Sequence, residues 1–162
     1  MDPHHYRDLM RHQAGAVTVI AAGAPGQRAG ITATAFSSLS DDPPSILACV
    51  NLKSSAHSVI RQMRAFSVNI LASDQQHVAE RFSGKTGVKG DARFIDLDWS
   101  ALATGAPVLN GALATLDCEL TEQHDFATHS IFIGRVADGQ FRAEAQPLLY
   151  FRNDYWDIGL RD

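Results

Sequence analysis

The sequence of 162 residues has little cysteine, no cluster of basic residues and no long apolar run. Its two cysteines, Cys49 and Cys118, lie apart in apolar segments without a CxxC neighbour, which disfavours a redox pair or a zinc site and predicts buried, reduced thiols. No segment reaches the ~18 apolar residues that a membrane span requires, and charged residues interrupt the N-terminal stretch. We therefore expect a cytoplasmic protein that does not enter a membrane.

The net charge and the composition further limit which kinds of protein the sequence can encode. A formal net charge of −4 weighs against a nucleic-acid partner, because a protein that binds phosphate backbones needs a basic face. Hydrophobic residues make up 45% and charged residues 20% of the chain, which is typical of a globular protein rather than a disordered one. The length suits one domain over residues 1–162.

Several motifs of common enzyme classes are missing. GxSxG and GxGxxG do not occur, so a serine hydrolase and a Rossmann dinucleotide site both lack their signals. Gly84-Lys85-Thr86 looks like the end of a phosphate loop, but Ala79 stands where the first glycine belongs, and the segment follows a predicted helix. None of the seven histidines has HxH or HExxH spacing, so we expect no metal site.

Short apolar and alternating stretches separated by turn residues predict a mainly β protein. The segment 24–27 has proline and glycine where a type II hairpin turn needs them, and Asp138-Gly139 predicts a second hairpin. Because helices are too few to cover parallel crossovers, the expected fold is an antiparallel β-barrel with a few peripheral helices. The predicted strands are 16–22, 30–36, 45–50, 66–70, 112–121 and 130–137, the predicted helices run from Asp2 to Gly15, from Ser55 and from Ser73 to Phe82, and the predicted loops are 37–44 and 83–98.

Two segments of small and polar residues form the first candidate site. In strand 30–36, Thr32 and Thr34 share a face that carries hydroxyls but no bulk, which lets a flat ring approach the backbone. The polar turn 51–55 precedes a helix whose first N–H groups are free to bind a phosphate, and Lys53 adds a positive charge. The same residues suit an ordinary strand and an ordinary helix cap equally well.

His129 and the C-terminal aromatic segment form the second candidate site. His129 opens the predicted strand 130–137, where a loop would deliver it to the mouth of a barrel, although a lone histidine is more often a hydrogen-bonded surface residue. Residues 148–156 concentrate aromatic side chains around Arg152. They suit a stacked, phosphate-bearing nucleotide, and they suit a subunit interface equally well.

Taken in order, these segments resemble the short-chain flavin reductase family, the split-barrel reductase components of two-component flavin-dependent monooxygenases. The similarity covers nearly the whole chain and depends on the order and spacing of the pieces rather than on one motif. The stretch at 84–87 is similar to the segment after the Arg-Phe motif of the 4-hydroxyphenylacetate monooxygenase reductases. The matching pieces are GAVTVI at 15–20, GITATAFSS at 30–38, DPP at 42–44, CVN at 49–51, SSAH at 54–57, RFSG at 81–84, RF at 93–94, PVL at 107–109, His129 and LYFR at 149–152.

The resemblance implies an antiparallel Greek-key split β-barrel and a homodimer with a flavin near the subunit interface. Many members carry Gly-Asp before the histidine where this chain has Ala127-Thr128, a difference that bears on how the nicotinamide is placed. By position, the residues implied to hold the isoalloxazine ring are Thr32, Ala33 and Thr34, with Ser37 and Ser38 beside its edge. Those implied to surround the ribityl chain and phosphate are Asn51, Ser54 and Ser55, those implied to close over the flavin are Arg81, Phe82 and Ser83, and those implied to face the nicotinamide are His129, Tyr150 and Arg152.

The implied activity is hydride transfer from NADH or NADPH to FMN or FAD, with the reduced flavin supplied to a separate monooxygenase. His129 is then the expected catalytic residue, which would orient the nicotinamide. Three other functions stay open at this point: a flavoprotein of the same fold that reduces a corrinoid or a metal chelate, a non-catalytic flavin- or haem-binding module, and a metal-dependent barrel enzyme.

Overall fold

A computed structural model describes residues 1–159, and its architecture is mainly β. Within that range the α-helices are α1 (Pro3–Met10), α2 (Ser55–Met63) and α3 (Gln76–Phe82), with short 3-10 helices at Ser73–Gln75 and Gly90–Phe94. No helix within residues 1–159 is long and apolar enough to cross a membrane. The strands are β1 (Gly15–Ala16), β2 (Thr18–Ala22), β3 (Ala29–Ala33), β4 (Phe36–Asp41), β5 (Pro44–Asn51), β6 (Ala65–Ile70), β7 (Trp99–Ala101), β8 (Pro107–Leu109), β9 (Ala114–Phe126), β10 (His129–Phe141), β11 (Leu149–Phe151) and β12 (Asp154–Trp156).

Seven strands form one antiparallel sheet in the order β3-β2-β6-β9-β10-β5-β4. β3 and β4 are at opposite ends of this order, although only Thr34 and Ala35 separate them in the chain. Because so short a link spans at most about 11 Å, the sheet has to curl until its two edge strands nearly meet. The antiparallel barrel with peripheral helices is therefore confirmed.

Strand β2 separates two apolar clusters because both of its faces are buried. Ile20 faces one cluster, inside the barrel, together with Phe66 and Phe132. Val19 faces the other cluster, where Phe82 of α3 packs with Phe94 of the following segment. The segment after α3 is thus part of the packed structure and not a free loop.

The first predicted hairpin is confirmed, since the Gln27 N–H donates to the Ala24 carbonyl at 2.9 Å and β2 pairs with β3. Gly26 has a φ of +89°, which the third position of a type II turn requires. The first helix begins at the predicted cap, where the Asp2 side chain accepts from the His5 N–H at 3.1 Å, but it ends at Met10 and not at Gly15.

The predicted loop at 37–44 is wrong. Phe36–Asp41 is a strand that pairs with β5, with Phe36 opposite Ala48 and Asp41 opposite Pro44. Phe36 packs against the core cluster inside the barrel, while Ser37 and Ser38 of this edge strand are exposed. The chain reverses within the short turn that follows Asp41.

The second predicted hairpin at Asp138-Gly139 is also wrong. β10 runs unbroken from His129 to Phe141, and these residues lie at a register irregularity against β9. A Cβ on Gly139 would meet the Thr115 carbonyl oxygen at 2.7 Å, so the glycine permits close approach of the two strands. The turn of this hairpin is instead Ala127-Thr128, directly before His129.

Candidate functional site

Three adjoining clefts meet at Thr34, in the link between β3 and β4. The first, of about 250 Å³, shares Thr34 and Tyr150 with the second, of about 300 Å³, and the third, of about 320 Å³, shares Thr34 with both. The first cleft is lined by Val17, Thr32, Ala33, Thr34, Ser83, Lys85, Tyr150 and Tyr155. The second adds Arg7, Met10, Arg11, Gln13 and Asn153, and the third adds Gly15, Ala35, Phe36, Ser37, Leu47 and Cys49.

The backbone of the link offers hydrogen-bond donors to these clefts. The Thr34 and Ala35 carbonyls are used within the barrel, since they accept from Phe36 N–H at 3.1 Å and from Cys49 N–H at 2.9 Å. Their own N–H groups have no acceptor among residues 1–159. Since both residues are exposed and small, a flat ligand with acceptor atoms on its edge can approach these donors.

Thr32 lines the first cleft, and its hydroxyl proton is used within the fold. Thr32 Oγ1 donates to the Ala79 carbonyl at 2.6 Å, so it holds α3 against β3 and can only accept from a ligand. Glycine is required at position 30 for packing, because a Cβ there would lie 2.8 Å from the Phe82 ring. The end of β3 and the link that follows it present small side chains to the first cleft, at Ala33 and Thr34.

The start of α2 lies beside the link. The Cys49 N–H donates to the Ala35 carbonyl, and Asn51 follows two residues later in β5, about 7 Å along the strand. Asn51 Oδ1 accepts from Lys53 N–H at 2.9 Å, and Ser54 Oγ caps the helix by accepting from Ala56 N–H at 3.2 Å. The Asn51 and Ser54 oxygens accept within the turn, while the Asn51 amide N–H groups and the Ser54 hydroxyl proton have no acceptor among residues 1–159. Together with the donors at Ser55 and the Lys53 ammonium, which has no ion pair in the described part of the chain, they are available to an anion.

His129 is brought to the same end of the barrel. It is the direct partner of Asn51 across the β5–β10 ladder, and Leu52 N–H donates to the Thr128 carbonyl at 3.0 Å. Thr128 Oγ1 lies 2.9 Å from His129 Nδ1 and restrains the exposed ring. The lining of the three clefts does not include His129, Asn51, Ser54 or Ser55. Asn51, Ser54 and Ser55 follow Cys49 of the third cleft in the chain, and His129 pairs with β5.

Aromatic side chains form the wall of the first cleft opposite the link. Tyr150 and Tyr155 pack edge to face with centroids 5.3 Å apart, and the Lys85 ammonium lies 5.4 Å from the Tyr155 ring. Burial raises the pKa of the Tyr155 hydroxyl, and the charge of Glu80 adds to this effect. Tyr155 therefore stays protonated at neutral pH and presents an uncharged surface.

Four of the predicted site residues differ from expectation. Phe82 is 2% exposed and packs against Phe94 and Trp99, with centroid distances of 4.9 and 5.7 Å, so its ring supports the site from the core and cannot cover a ligand. The Arg81 guanidinium donates to the Ile95 carbonyl at 2.6 Å, outside the clefts. Arg152 lies over the Phe151 ring at 5.0 Å and lines a separate shallow cleft, and Ser38 is exposed on β4 without lining any of the three.

Sequence reasoning missed Lys85 and the contribution of the N-terminal segment 7–13. Lys85 lies in the Gly84-Lys85-Thr86 stretch, which looks like the end of a phosphate loop. The feature that could have placed Lys85 at the site is the resemblance of residues 84–87 to a segment of the flavin reductase family. Arg7, Arg11 and Gln13 line the second cleft, and no motif marks them. Tyr155 belongs to the aromatic segment 148–156, but its position opposite Tyr150 is evident only from the pairing of β11 with β12.

An ion pair fastens the segment that carries Ser83 and Lys85. Asp91 accepts from the Gly26 and Arg28 amides, both at 3.0 Å, and from the Arg28 guanidinium at 2.8 and 3.1 Å. The Arg28 side-chain hydrogen bond is the main cause that lowers the pKa of Asp91 to about 2. The segment is thereby tied to the β2–β3 hairpin beside the first cleft.

Titratable groups do not gather as metal ligands. Among residues 1–159 no group of three or more His, Cys, Asp and Glu side chains has the arrangement of a metal site.

Comparison with known proteins agrees with this geometry and confirms the resemblance. The chain is 38% identical over 150 residues to an FMN reductase (NADH) RutF of Agrobacterium fabrum, covering 93% of this chain and 85% of the relative. It is 36% identical to the 4-hydroxyphenylacetate 3-monooxygenase reductase component of Pseudomonas aeruginosa, covering 93% and 88%. The structure of BorF, the flavin reductase component of a bacterial two-component tryptophan halogenase, superimposes with a TM-score of 0.90 at 33% identity, covering 99% of this chain and 100% of BorF. With residues 10–159 matching the flavin reductase like domain, the chain belongs to that family.

Proposed function

We propose that this protein is an NAD(P)H:flavin oxidoreductase that reduces FMN or FAD and supplies the reduced flavin to a separate monooxygenase. The observation that carries the proposal is the Thr34–Ala35 link, where two free N–H groups and small side chains lie between clefts that also contain aromatic and cationic residues. Hydride transfer from the nicotinamide to the flavin is chemistry that the two cofactors supply. The residues of this chain bind and orient them.

A flavin fits the site in shape and in hydrogen-bonding groups. The isoalloxazine is flat and carries carbonyl oxygens on one edge, which suits the free Thr34 and Ala35 amides and the low surface of Ala33. These amides would stabilise negative charge on the reduced ring. Ser37 lines the third cleft at the same edge, with Ser38 next in the strand.

The phosphate-bearing end of the flavin suits the start of α2. Ser55 and Lys53 offer donors and positive charge at a helix N-terminus, where the helix dipole also favours an anion. Asn51 and Ser54 shape this turn through their internal hydrogen bonds. Ser83 and Lys85 border the ring from the segment that Asp91 fastens.

The donor nucleotide suits the second cleft and the hairpin that carries His129. Arg7 has no ion pair among the described residues and lines this cleft together with Arg11 and Tyr150, which supplies positive charge and an aromatic face for a dinucleotide. His129 would orient the nicotinamide carboxamide. The name of the Agrobacterium fabrum relative specifies NADH, which favours NADH over NADPH here.

A homodimer is the assembly that we propose. Ile131 and Ile133 of β10 pair with Cys49 and Leu47 of β5 on the outer face of the barrel, and all four are only half-buried. Leu39 of β4 is 49% exposed beside them. An apolar face of this kind marks a protein interface, and a second copy on it would lie next to the third cleft.

The proposed partner is a flavin-dependent oxygenase, and the proposed location is the cytoplasm. The Pseudomonas aeruginosa relative is named as the reductase component of a monooxygenase, which supports a two-component system. Both cysteines are free thiols, as is typical of a reducing compartment.

The activity is tested with purified protein. Titration with FMN and FAD should perturb the flavin absorbance, and NADH should be oxidised in the presence of free flavin, faster than NADPH. His129→Ala should slow NADH oxidation by about tenfold or more while the Kd for FMN stays within about twofold, because the ring orients the donor only.

Three results would contradict the proposal. Bound flavin without NADH oxidation would indicate a binding module, and reduction of a cob(II)alamin-type or metal-chelate acceptor in preference to free flavin would indicate a different reductase. Unchanged turnover in His129→Ala would refute the role of that residue.

A further inference from the structure

A chain of three polar side chains joins α2 to the hairpin between β9 and β10. His57 Nε2 lies 2.7 Å from Ser130 Oγ, and Ser130 Oγ donates to Asp125 Oδ1 at 2.6 Å. His57 is 5% exposed, Ser130 is fully buried, and the His57 ring packs on Phe132 with centroids 5.2 Å apart. The function proposed above gives these side chains no role.

The direction of each hydrogen bond follows from the charge of Asp125. Hydrogen bonds from Ser130 and then Gln123 lower the pKa of Asp125, so its carboxylate is ionised at neutral pH and only accepts. The single hydroxyl proton of Ser130 is therefore directed to Asp125, and the Ser130 oxygen accepts from the histidine. His57 Nε2 therefore carries a proton and donates it to Ser130 Oγ.

This chain of side chains restrains the backbone at His129. Ser130 follows His129 directly in β10, and consecutive strand residues point to opposite faces. A restraint on the inward Ser130 side chain thus also restrains the outward His129. The rest of the hairpin tip is exposed, as Phe126 at 81% illustrates, so it has little packing of its own.

We propose that His57 is a positioning residue for the reaction, which through Ser130 sets the distance between the start of α2 and His129. The inference rests on the proposed function. α2 is held independently by the buried Ala56 and Ile60, so loss of the His57–Ser130 hydrogen bond displaces the hairpin rather than the helix. The damage falls on turnover with the donor and not on flavin affinity.

The test compares His57→Leu, His57→Gln and Ser130→Ala with the wild type. The measurements are kcat and KM for NADH oxidation with FMN, the Kd for FMN, and the melting temperature. His57→Leu and Ser130→Ala should lower kcat by about tenfold, because small displacements of an orienting group have effects of that order or larger, while the Kd for FMN stays within about twofold. His57→Gln retains an Nε2 donor and should recover most of the lost kcat.

Ser67→Ala is the matched control. Ser67 Oγ donates to the Pro107 carbonyl in another buried hydrogen bond, and Ser67 lies opposite Asp117, far along β9 from Asp125. This variant should lose comparable stability and keep the wild-type kcat.

Wild-type kcat in His57→Leu and Ser130→Ala would overturn the inference. So would a loss that His57→Gln does not recover, or an equal loss in Ser67→Ala, since either result would trace the effect to stability alone. If the wild-type protein does not oxidise NADH with FMN, the proposed function fails first, so the two failures are distinguishable.

Discussion

Replacing Asp91 with asparagine should destabilise the protein and weaken flavin binding together, because this carboxylate fastens the segment that carries Ser83 and Lys85. The amide oxygen of the substituted side chain could still accept from the Gly26 and Arg28 amides, so the change removes the charge interaction with the Arg28 guanidinium and leaves most of the local geometry. The variant Asp91→Asn thus isolates the ion pair.

The magnitude follows from the pKa of Asp91. Its fall from the ordinary value of 3.8 to about 2 corresponds to about 2.4 kcal/mol, at about 1.36 kcal/mol per unit. This is an upper limit for the ion pair, because the Gly26 and Arg28 amides contribute to the shift and are kept in the variant. The Arg28 and Asp91 side chains keep 17% and 25% of their surface exposed, and solvent screening reduces the expected loss to about 1–2 kcal/mol at pH 7.

The pH dependence has a definite sign. The folded-state pKa of Asp91 lies below the unfolded value, so its contribution is fully present above pH ~4 and is lost as the pH falls from there toward 2. Urea unfolding of the wild type and of Asp91→Asn at a series of pH values should therefore give curves that differ at pH 7 and converge in acid.

The control is Asp157→Asn, an exposed carboxylate with no hydrogen bond in the described part of the chain, which should leave stability unchanged. The Kd for FMN, measured on folded Asp91→Asn at pH 7, should rise at least about threefold, as expected for loss of part of a 1–2 kcal/mol restraint. A difference in stability below about 0.5 kcal/mol at pH 7, or one that persists unchanged in acid, would refute the reasoning.

Thr34→Leu adds bulk where the three clefts meet and should raise the Kd for FMN by about tenfold or more, since overpacking costs about 1–3 kcal/mol; an unchanged Kd in a flavin titration would move the site elsewhere. Ala127→Gly should raise the free energy of unfolding by about 0.5–1 kcal/mol, because Ala127 has a φ of 50°, which glycine adopts without strain. Urea unfolding measures this change, and a lower free energy of unfolding in the variant would contradict the prediction. Burial raises the pKa of the Cys118 thiol to about 12, so a colorimetric thiol reagent at pH 8 should leave Cys118 unmodified in a native Cys49→Ser variant and titrate it only after denaturation; a fast native thiol in that variant would contradict the burial of Cys118.

Local turn chemistry explains which elements could be predicted. The type II turn at 24–27 is specified by its own residues, and the β2–β3 hairpin follows from it. β4 was missed because its pairing with β5 is decided by Phe36 inside the barrel, whereas its serines and the prolines after it are typical of loops. Asp138-Gly139 is a strong turn signal that sheet packing overrides, and the actual turn uses Ala127, which gives no such signal.

The candidate site was predictable in position but not in the use of each side chain. The order of the small-residue strand and the polar turn located the link and the start of α2. Side-chain direction depends on neighbours that are distant in the chain, so the sequence could not reveal three features. They are the hydrogen bond from Thr32 Oγ1 to the Ala79 carbonyl, the burial of the Phe82 ring in the core, and the hydrogen bond from the Arg81 guanidinium to the Ile95 carbonyl. For the same reason Arg7 of α1 and Arg11, which follows it, were not connected with Tyr150.

The link between β3 and β4 has a consequence for the order of folding. Its two strands are neighbours in the sequence but lie at opposite ends of the strand order, so the link takes its final conformation only after the strands between them have paired. The amides of Thr34 and Ala35 are therefore assembled late, and a flavin has no site on a partly folded barrel. We expect saturating FMN to slow unfolding while leaving the folding rate nearly unchanged, with a gain of about 2.7 kcal/mol at a concentration of 100 times Kd.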